Sequence, residues 1–273
     1  KVGGLADVVG GLPKALAKLG VDTAIMLPKY ESIKVINVIN IINIIVNYDG
    51  KQESVKIYET RLPETSIPVF LFENQTYLSL GPVYSAVSAE GTSLDVDRFS
   101  FLSKAVIEYL KLIANSPASP AGKQQPIAIL HCHDWHTSWI PRLIKENGIE
   151  NIKTILTIHN LGRAYQGITD NTTLIKLDLK DDVSKNTVNI LQNGIENADL
   201  VTTVSPTYAK EIQTEKMGEG LEAVLNDKKD KLSGIINGID TEVWNPQTDG
   251  NLVANYSINN NWVNGKKINK IEL

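Results

Sequence analysis

The 273-residue sequence is poor in sulfur and in aromatic rings, with one cysteine, two methionines and 6% Phe, Trp and Tyr combined. A lone thiol, Cys132, excludes an internal disulfide framework and is typical of a reducing compartment. No run of about 20 apolar residues occurs, which is what a membrane-crossing helix requires. The nearest approach is 35–48, VINVINIINIIVNY, where Asn37, Asn40, Asn43 and Asn47 would each be costly in lipid. Excess charge of either sign is also missing: 27 basic against 31 acidic residues give −4, so no general nucleic-acid-coating face is expected. At 42% apolar and 21% charged residues the composition is that of a globular protein, large enough for a sizeable core. No secretory signal or initiator Met opens the chain, and Lys1 leads directly into a Gly-rich segment. The chain is therefore expected to be a piece of a longer one.

The apolar spacing predicts an order of elements. Leu5, Val8, Val9, Leu12, Leu16 and Leu19 share a helical face within 1–20, with Gly20 as the stop and Pro13 expected to kink or restart the helix. A short buried strand is expected at 22–28. The β-branched 33–48 reads as strand, and with strands at 54–58 and 67–72 it suggests a small antiparallel addition turned at Asp49-Gly50. A helix is expected over 95–111 and an exposed loop over 115–125. Strands at 127–131, 153–158 and 200–204 then alternate with helices at 137–147, 174–180 and 188–196, and Ser205-Pro206 starts another helix. Strands separated by helices imply an α/β fold with a parallel sheet and helices on both faces. Ligands of such sheets bind at the carboxyl ends of the strands.

Three short segments carry candidate chemistry. In Lys1-Val2-Gly3-Gly4-Leu5 the glycines permit close backbone approach, the following helix N-terminus favours an anion, and Lys1 adds a full charge. A plain turn before an amphipathic helix explains the same residues. His131-Cys132-His133-Asp134-Trp135-His136 packs three imidazoles into six residues. Strand alternation puts His131 and His133 on one side and Asp134 opposite, the wrong order for an H-x-H-x-D-H zinc site. The alternative is a strand end projecting polar groups into a crevice. Thr157-Ile158-His159-Asn160 ends a second apolar strand in the same way, or holds a structural histidine. Tyr165-Gln166-Gly167 offers a hydroxyl, an amide and a backbone approach suited to a sugar, or is simply a loop.

Taken in order, KVGGLADVVGGLPKAL at 1–16, HCHDWHTSWIP at 131–141, TIHNL at 157–161, YQG at 165–167, NADLVTTVSPTYAKEI at 197–212, GEGLEAVL at 218–225 and GIINGIDTEVWNP at 234–246 resemble the bacterial glycogen synthase and starch synthase family, glycosyltransferase family 5. The resemblance implies a Rossmann-like sheet forming the N-terminal half of a GT-B glycosyltransferase. It implies retaining transfer of glucose from ADP-glucose to the non-reducing end of an α-1,4-glucan, without metal or other cofactor. By resemblance Asp134 and His159 are the active-site pair. Lys1, Gly3 and Gly4 belong to the sugar-nucleotide loop, and Asn160, Tyr165 and Tyr84 help bind donor or acceptor sugar.

The same resemblance implies that residues 1–273 form one catalytic domain lacking its first strand. Its partners would be ADP-glucose, the glucan and a C-terminal nucleotide-binding domain beyond residue 273, with no nucleic acid and no membrane. The expected location is the cytoplasm, or a plastid if the source is a plant or alga. Gly162, Arg163 and Ala164 lengthen the usual span between TIHNL and YQG, and Met217 stands where an aromatic is common. Three alternatives remain at this stage: a UDP-glucose-dependent enzyme of the same architecture, a non-catalytic glucan-binding module, and a metal hydrolase built on the histidines.

Overall fold

A computed structural model of the chain describes residues 3–83, 94–114, 128–179 and 186–273. The chain opens with helix α1 (Gly3–Lys18), followed by strands β1 (Ile25–Pro28), β2 (Asn40–Tyr48), β3 (Lys51–Arg61) and β4 (Pro68–Glu73). Helix α2 (Leu94–Ala114) leads to β5 (Ala128–His133), α3 (Ile140–Glu146), β6 (Ile152–Ile158), β7 (Ile168–Asp170) and α4 (Thr172–Lys176). Then come β8 (Thr187–Asn189), α5 (Ile190–Asn197), β9 (Leu200–Thr203), α6 (Pro206–Glu211), α7 (Glu222–Asp227), β10 (Leu232–Gly234) and α8 (Trp262–Glu272). Contacts divide the chain into two compact units, 22–236 and a smaller one made of 1–21 with 237–273.

The larger unit holds a parallel sheet in the order β10-β9-β6-β5, flanked by helices, as the alternating pattern predicts. A second sheet runs β1-β4-β3-β2. Here one expectation is corrected. The antiparallel hairpin β2–β3 forms as read, with Asp49 and Gly50 both at positive φ, 52° and 69°, in a two-residue turn. Strand β4, however, also pairs in parallel with β1, so it joins the hairpin to the α/β layer. Residues 33–39 do not enter the strand, which begins at Asn40.

Helix α2 ties the two sheets into one core. Its Asp97 accepts a hydrogen bond from Tyr48 Oη of β2 at 2.9 Å, and its Phe101 stacks on Tyr77. On the side of the parallel sheet, Ser100 Oγ accepts a 3.1 Å bond from the buried Trp139 indole. Trp139, Phe101, Leu156, Ile158 and Leu161 are all almost wholly buried, and burying each such side chain contributes roughly 2 kcal/mol.

Local chemistry moves several boundaries. The expected helix 188–196 starts at Ile190, because 187–189 pair with 168–170 and Asn189 Oδ1 caps Gln192 N at 3.0 Å. The helix expected at 174–180 stops at Lys176. Asp178 turns left-handed (φ 57°), and the bonds Leu179 N to Leu174 O and Asp178 N to Ile175 O close the end. Gly20 ends α1 by the same pair of bonds, Val21 N to Leu16 O and Gly20 N to Ala17 O, as its sequence position predicts. The expected 137–147 helix is a 3₁₀ turn (Trp135–Thr137) followed by α3. In the smaller unit α1 passes through Pro13 without a restart, and Lys14 pairs with Asp240 at 3.0 Å. The loop expected at 115–125 lies outside the described residues.

Candidate active site

Strands β5, β6 and β9 run parallel, so their carboxyl ends emerge on one edge with His133 level with Thr157 and Ile158 level with Thr203. The ladder continues one step past β5, Asp134 N donating to Thr157 O at 2.9 Å. Asp134 then adopts φ 52°, ψ −169°, a conformation that side chains rarely take. The carboxylate is almost wholly buried and its Oδ1 accepts from His159 N at 2.7 Å and Asn160 N at 3.3 Å. One side chain thus clasps the ends of two strands. Burial pushes the Asp134 carboxyl up to about 6, against the pull of those two N–H bonds.

Around this carboxylate the imidazoles form a row. His131 and His133 rings stack at 4.3 Å, on one side of β5 as alternation predicts, and His133 Nδ1 lies 3.1 Å from His159 Nε2. His131 Nε2 is held by Thr157 Oγ1, which also bonds Thr202 Oγ1, each at 2.6 Å. Burial lowers all four histidines: His133 to about 3, where His131 and His159 add their repulsion, and His136 to about 4. At neutral pH the cluster is therefore uncharged beside one carboxylate. His136 stands apart, its ring stacked on Trp135 and edge-on to Phe99, as a packing residue. Among the described residues no group of three or more His, Cys, Asp and Glu is placed to hold a metal ion.

The 160–167 loop follows directly from the end of β6. Asn160 Oδ1 accepts from Gly162 N at 2.9 Å, and Tyr165 follows in a short 3₁₀ turn, half exposed. Gln166 is not offered to a ligand. Its Nε2 donates to Leu161 O and Glu219 O and its Oε1 accepts from Asn189 Nδ2, so the amide welds this loop to the GEG segment and α5. Gly167, at φ 63°, lies so close to Trp135 that an added Cβ would sit 2.4 Å from the ring. Tyr208 of α6 takes a hydrogen bond from the Leu161 backbone.

Asp134, His159 and Asn160 are therefore brought together, with Tyr165 on the adjoining loop. Gly3 (φ 74°) and Gly4 open α1 in the smaller unit, where a Cβ on Gly4 would meet nothing. Lys1 and Tyr84 lie outside the described residues. Sequence reasoning gave His133 only a general orienting or packing role shared with His131 and His136, and missed Thr202. Their side-by-side placement depends on strand register, which no local pattern prints.

A parallel α/β sheet with polar strand ends on one edge defines a ligand-binding domain of the Rossmann-like class. The family model of the starch synthase catalytic domain matches residues 1–227, and the chain belongs to that family. It is similar to the glycogen synthase of Kosmotoga olearia, 39% identical over 281 residues, covering all of this chain and 54% of that protein. The Thermosipho melanesiensis glycogen synthase is 37% identical over 290 residues, covering all of this chain and 56% of its own length. Among solved structures, the catalytic domain of starch synthase IV from Arabidopsis thaliana bound to ADP and acarbose superposes with a TM-score of 0.81. It is 33% identical, and the match covers all of this chain and 55% of that one. The chain spans about half the length of the curated relatives it matches.

Proposed function

We propose that this chain is the N-terminal half of a glucan synthase that transfers glucose, with retention, from ADP-glucose to the non-reducing end of an α-1,4-glucan. The observation that carries the reading is the unit formed by Asp134, His159 and Asn160. Asp134 and the adjacent pair His159-Asn160, all singled out by family resemblance and 25 and 26 positions apart, share hydrogen bonds at one carboxylate oxygen. The Arabidopsis relative's complex with ADP and acarbose, an oligosaccharide analogue, supports a site for a nucleotide and a glucan on this scaffold.

In this reading the C1–O bond to the diphosphate breaks with its electron pair leaving on phosphate. The acceptor hydroxyl oxygen bonds C1 on the same face, and its proton passes to the departing phosphate oxygen. The growing charge on the leaving group calls for positioned donors and cations more than for a pair of carboxylates. Asp134 stabilises the cation-like sugar and fixes the His159 turn. Lys1 and the helix following Gly3-Gly4 serve the diphosphate. A C-terminal nucleotide-binding domain beyond residue 273 completes the cleft, so the 273-residue chain alone has negligible activity. The setting is the cytoplasm, or a plastid in a plant or alga.

The test is incorporation of radiolabelled glucose from ADP-glucose and from UDP-glucose into glycogen by the full-length gene product. Transfer from ADP-glucose that collapses in Lys1→Ala and Asp134→Asn supports the reading. Transfer from UDP-glucose alone overturns the donor assignment. A folded protein that binds glycogen and transfers from neither donor is a binding module instead.

A further inference from the structure

His133 has no specific task in the reading so far, yet its ring lies between those of His131 and His159. It is the last residue of β5, stacked on His131 at 4.3 Å and 3.1 Å from His159 through Nδ1 and Nε2. His131 is in turn fixed by the Thr157–Thr202 hydroxyl pair. The row is thus anchored at one end by two threonines and at the other by the grip of Asp134 on the His159 backbone. His159 consequently has its main chain held by one neighbour and its Nε2 by another. Among the described residues its Nδ1 has no partner.

We propose that His133 is a positioning residue that acts through His159, holding its ring and tying its tautomer to its own, so that the pair sets the form in which Nδ1 is presented to the sugar substrate. The Nδ1···Nε2 contact can hold one proton between two lone-pair sites, so the tautomers of the two rings are linked. Two N–H groups facing each other repel, and two lone pairs do the same. Two arrangements satisfy the contact: His133 Nδ1 donates and His159 Nδ1 carries the N–H, or His159 Nε2 donates and His159 Nδ1 is a lone pair, so the state of His159 Nδ1 is tied to the tautomer of His133. This deepens the glucosyltransfer reading and rests on it for the catalytic consequence, but the linkage itself is a property of the side chains.

The substitution pair His133→Asn and His133→Gln separates the proposal from a packing role. The asparagine amide sits where Nδ1 was and keeps a partner for His159, whereas glutamine places its amide near the old Nε2. In the full-length protein with 15N-labelled histidine rings, the His159 signals are assigned by their loss in His159→Gln. The wild type and His133→Asn should show well-separated Nδ1 and Nε2 shifts, and in His133→Gln the two should move together as tautomers average. In glucose transfer, His133→Gln should lose about 100-fold in kcat, the scale of a misplaced catalytic group. Its donor KM should stay within about threefold, and His133→Asn should recover at least about tenfold of the lost rate. His159 shifts already averaged in the wild type, or equal behaviour of the two variants in shifts and rate, would overturn the proposal. A wild type that transfers no glucose defeats the functional reading instead, while the shifts still decide the linkage.

Discussion

Asp134 Oδ1 and the backbone N–H of His159 are 2.7 Å apart, and through that bond the ends of β5 and β6 are fixed to each other as well as to a charge. Replacing the carboxylate by alanine removes the acceptor of two part-buried N–H bonds and puts a Cβ-bearing residue without a polar side chain at φ 52°. Asp134→Ala is expected to lose about 2–4 kcal/mol of stability in urea unfolding. Asp134→Asn keeps an acceptor oxygen, so it should lose less than about 1 kcal/mol while still losing glucose transfer. Equal destabilisation by the two would show that charge, not the hydrogen bond, holds the turn.

Acid should destabilise the fold before any surface carboxylate titrates. The four histidines have folded pKa values below 6.5, so the unfolded chain binds protons first as pH falls through 6.5, and stability is lost. Asp134 works the other way: with a folded value of about 6 against 3.8, it gains stability as pH falls from about 6 to 3.8. That gain is about 3 kcal/mol, similar to the cost of His136 alone, leaving His131, His133 and His159 uncompensated. The urea midpoint should fall steadily from pH 7 to pH 5, and a flat or rising midpoint would contradict the buried neutral cluster. In the full-length protein, the proposed role of Asp134 predicts that glucose transfer falls below about pH 6 as its carboxylate takes up a proton.

Gly167→Ala is expected to be severe for its size. The new methyl group meets Trp135 Cε3 at 2.4 Å and Ile190 Cβ at 3.2 Å, and φ 63° is strained for alanine. A loss of about 3 kcal/mol combines overpacking with left-handed strain, and differential scanning calorimetry reads it directly. Gly4→Ala, with nothing within 4 Å, is the control and should leave Tm nearly unchanged.

Arg98 is 4% exposed and holds residues 80–83 onto α2. Its Nη1 donates to Asp95 Oδ1 at 2.9 Å and to Pro82 O at 3.1 Å, and its Nη2 to Leu80 O at 2.6 Å. Arg98→Met removes the buried ion pair with Asp95 and the donors to the Leu80 and Pro82 carbonyls, an expected loss of about 3–5 kcal/mol. Removing the Asp95 carboxylate as well, in Arg98→Met with Asp95→Leu, should recover part of it. No recovery would place the whole loss on the carbonyl contacts.

The sequence carried the parts of this fold that are written locally. Ser205 accepts from Thr207 N and Tyr208 N ahead of Pro206, and Asp49-Gly50 turns its hairpin, as residue type alone predicts. The polar strand ends were legible because an apolar run followed by His and Asp or Asn has few meanings at a sheet edge. The parallel pairing of β4 with β1 was not legible, since Val69 and Phe70 suit either neighbour. Nor was the left-handed backbone at Asp134, which follows from a carboxylate that must reach residues 25 positions away. From the sequence, Gln166 could offer its amide to a sugar or belong simply to a loop. Only the fold reveals that Leu161, Asn189 and Glu219 had already taken it.

Cys132 lies between two histidines of the site and points into the core, 1% exposed, its thiol pushed up to about 12 by burial. It is the sole sulfhydryl in these 273 residues. An alkylating reagent can reach it only when β5 parts from its surroundings, and even then only a small fraction is thiolate at neutral pH. The rate at which this chain becomes labelled is thus a clock for the opening of the β5 edge. Any ligand that closes that edge should slow it, whether or not chemistry follows.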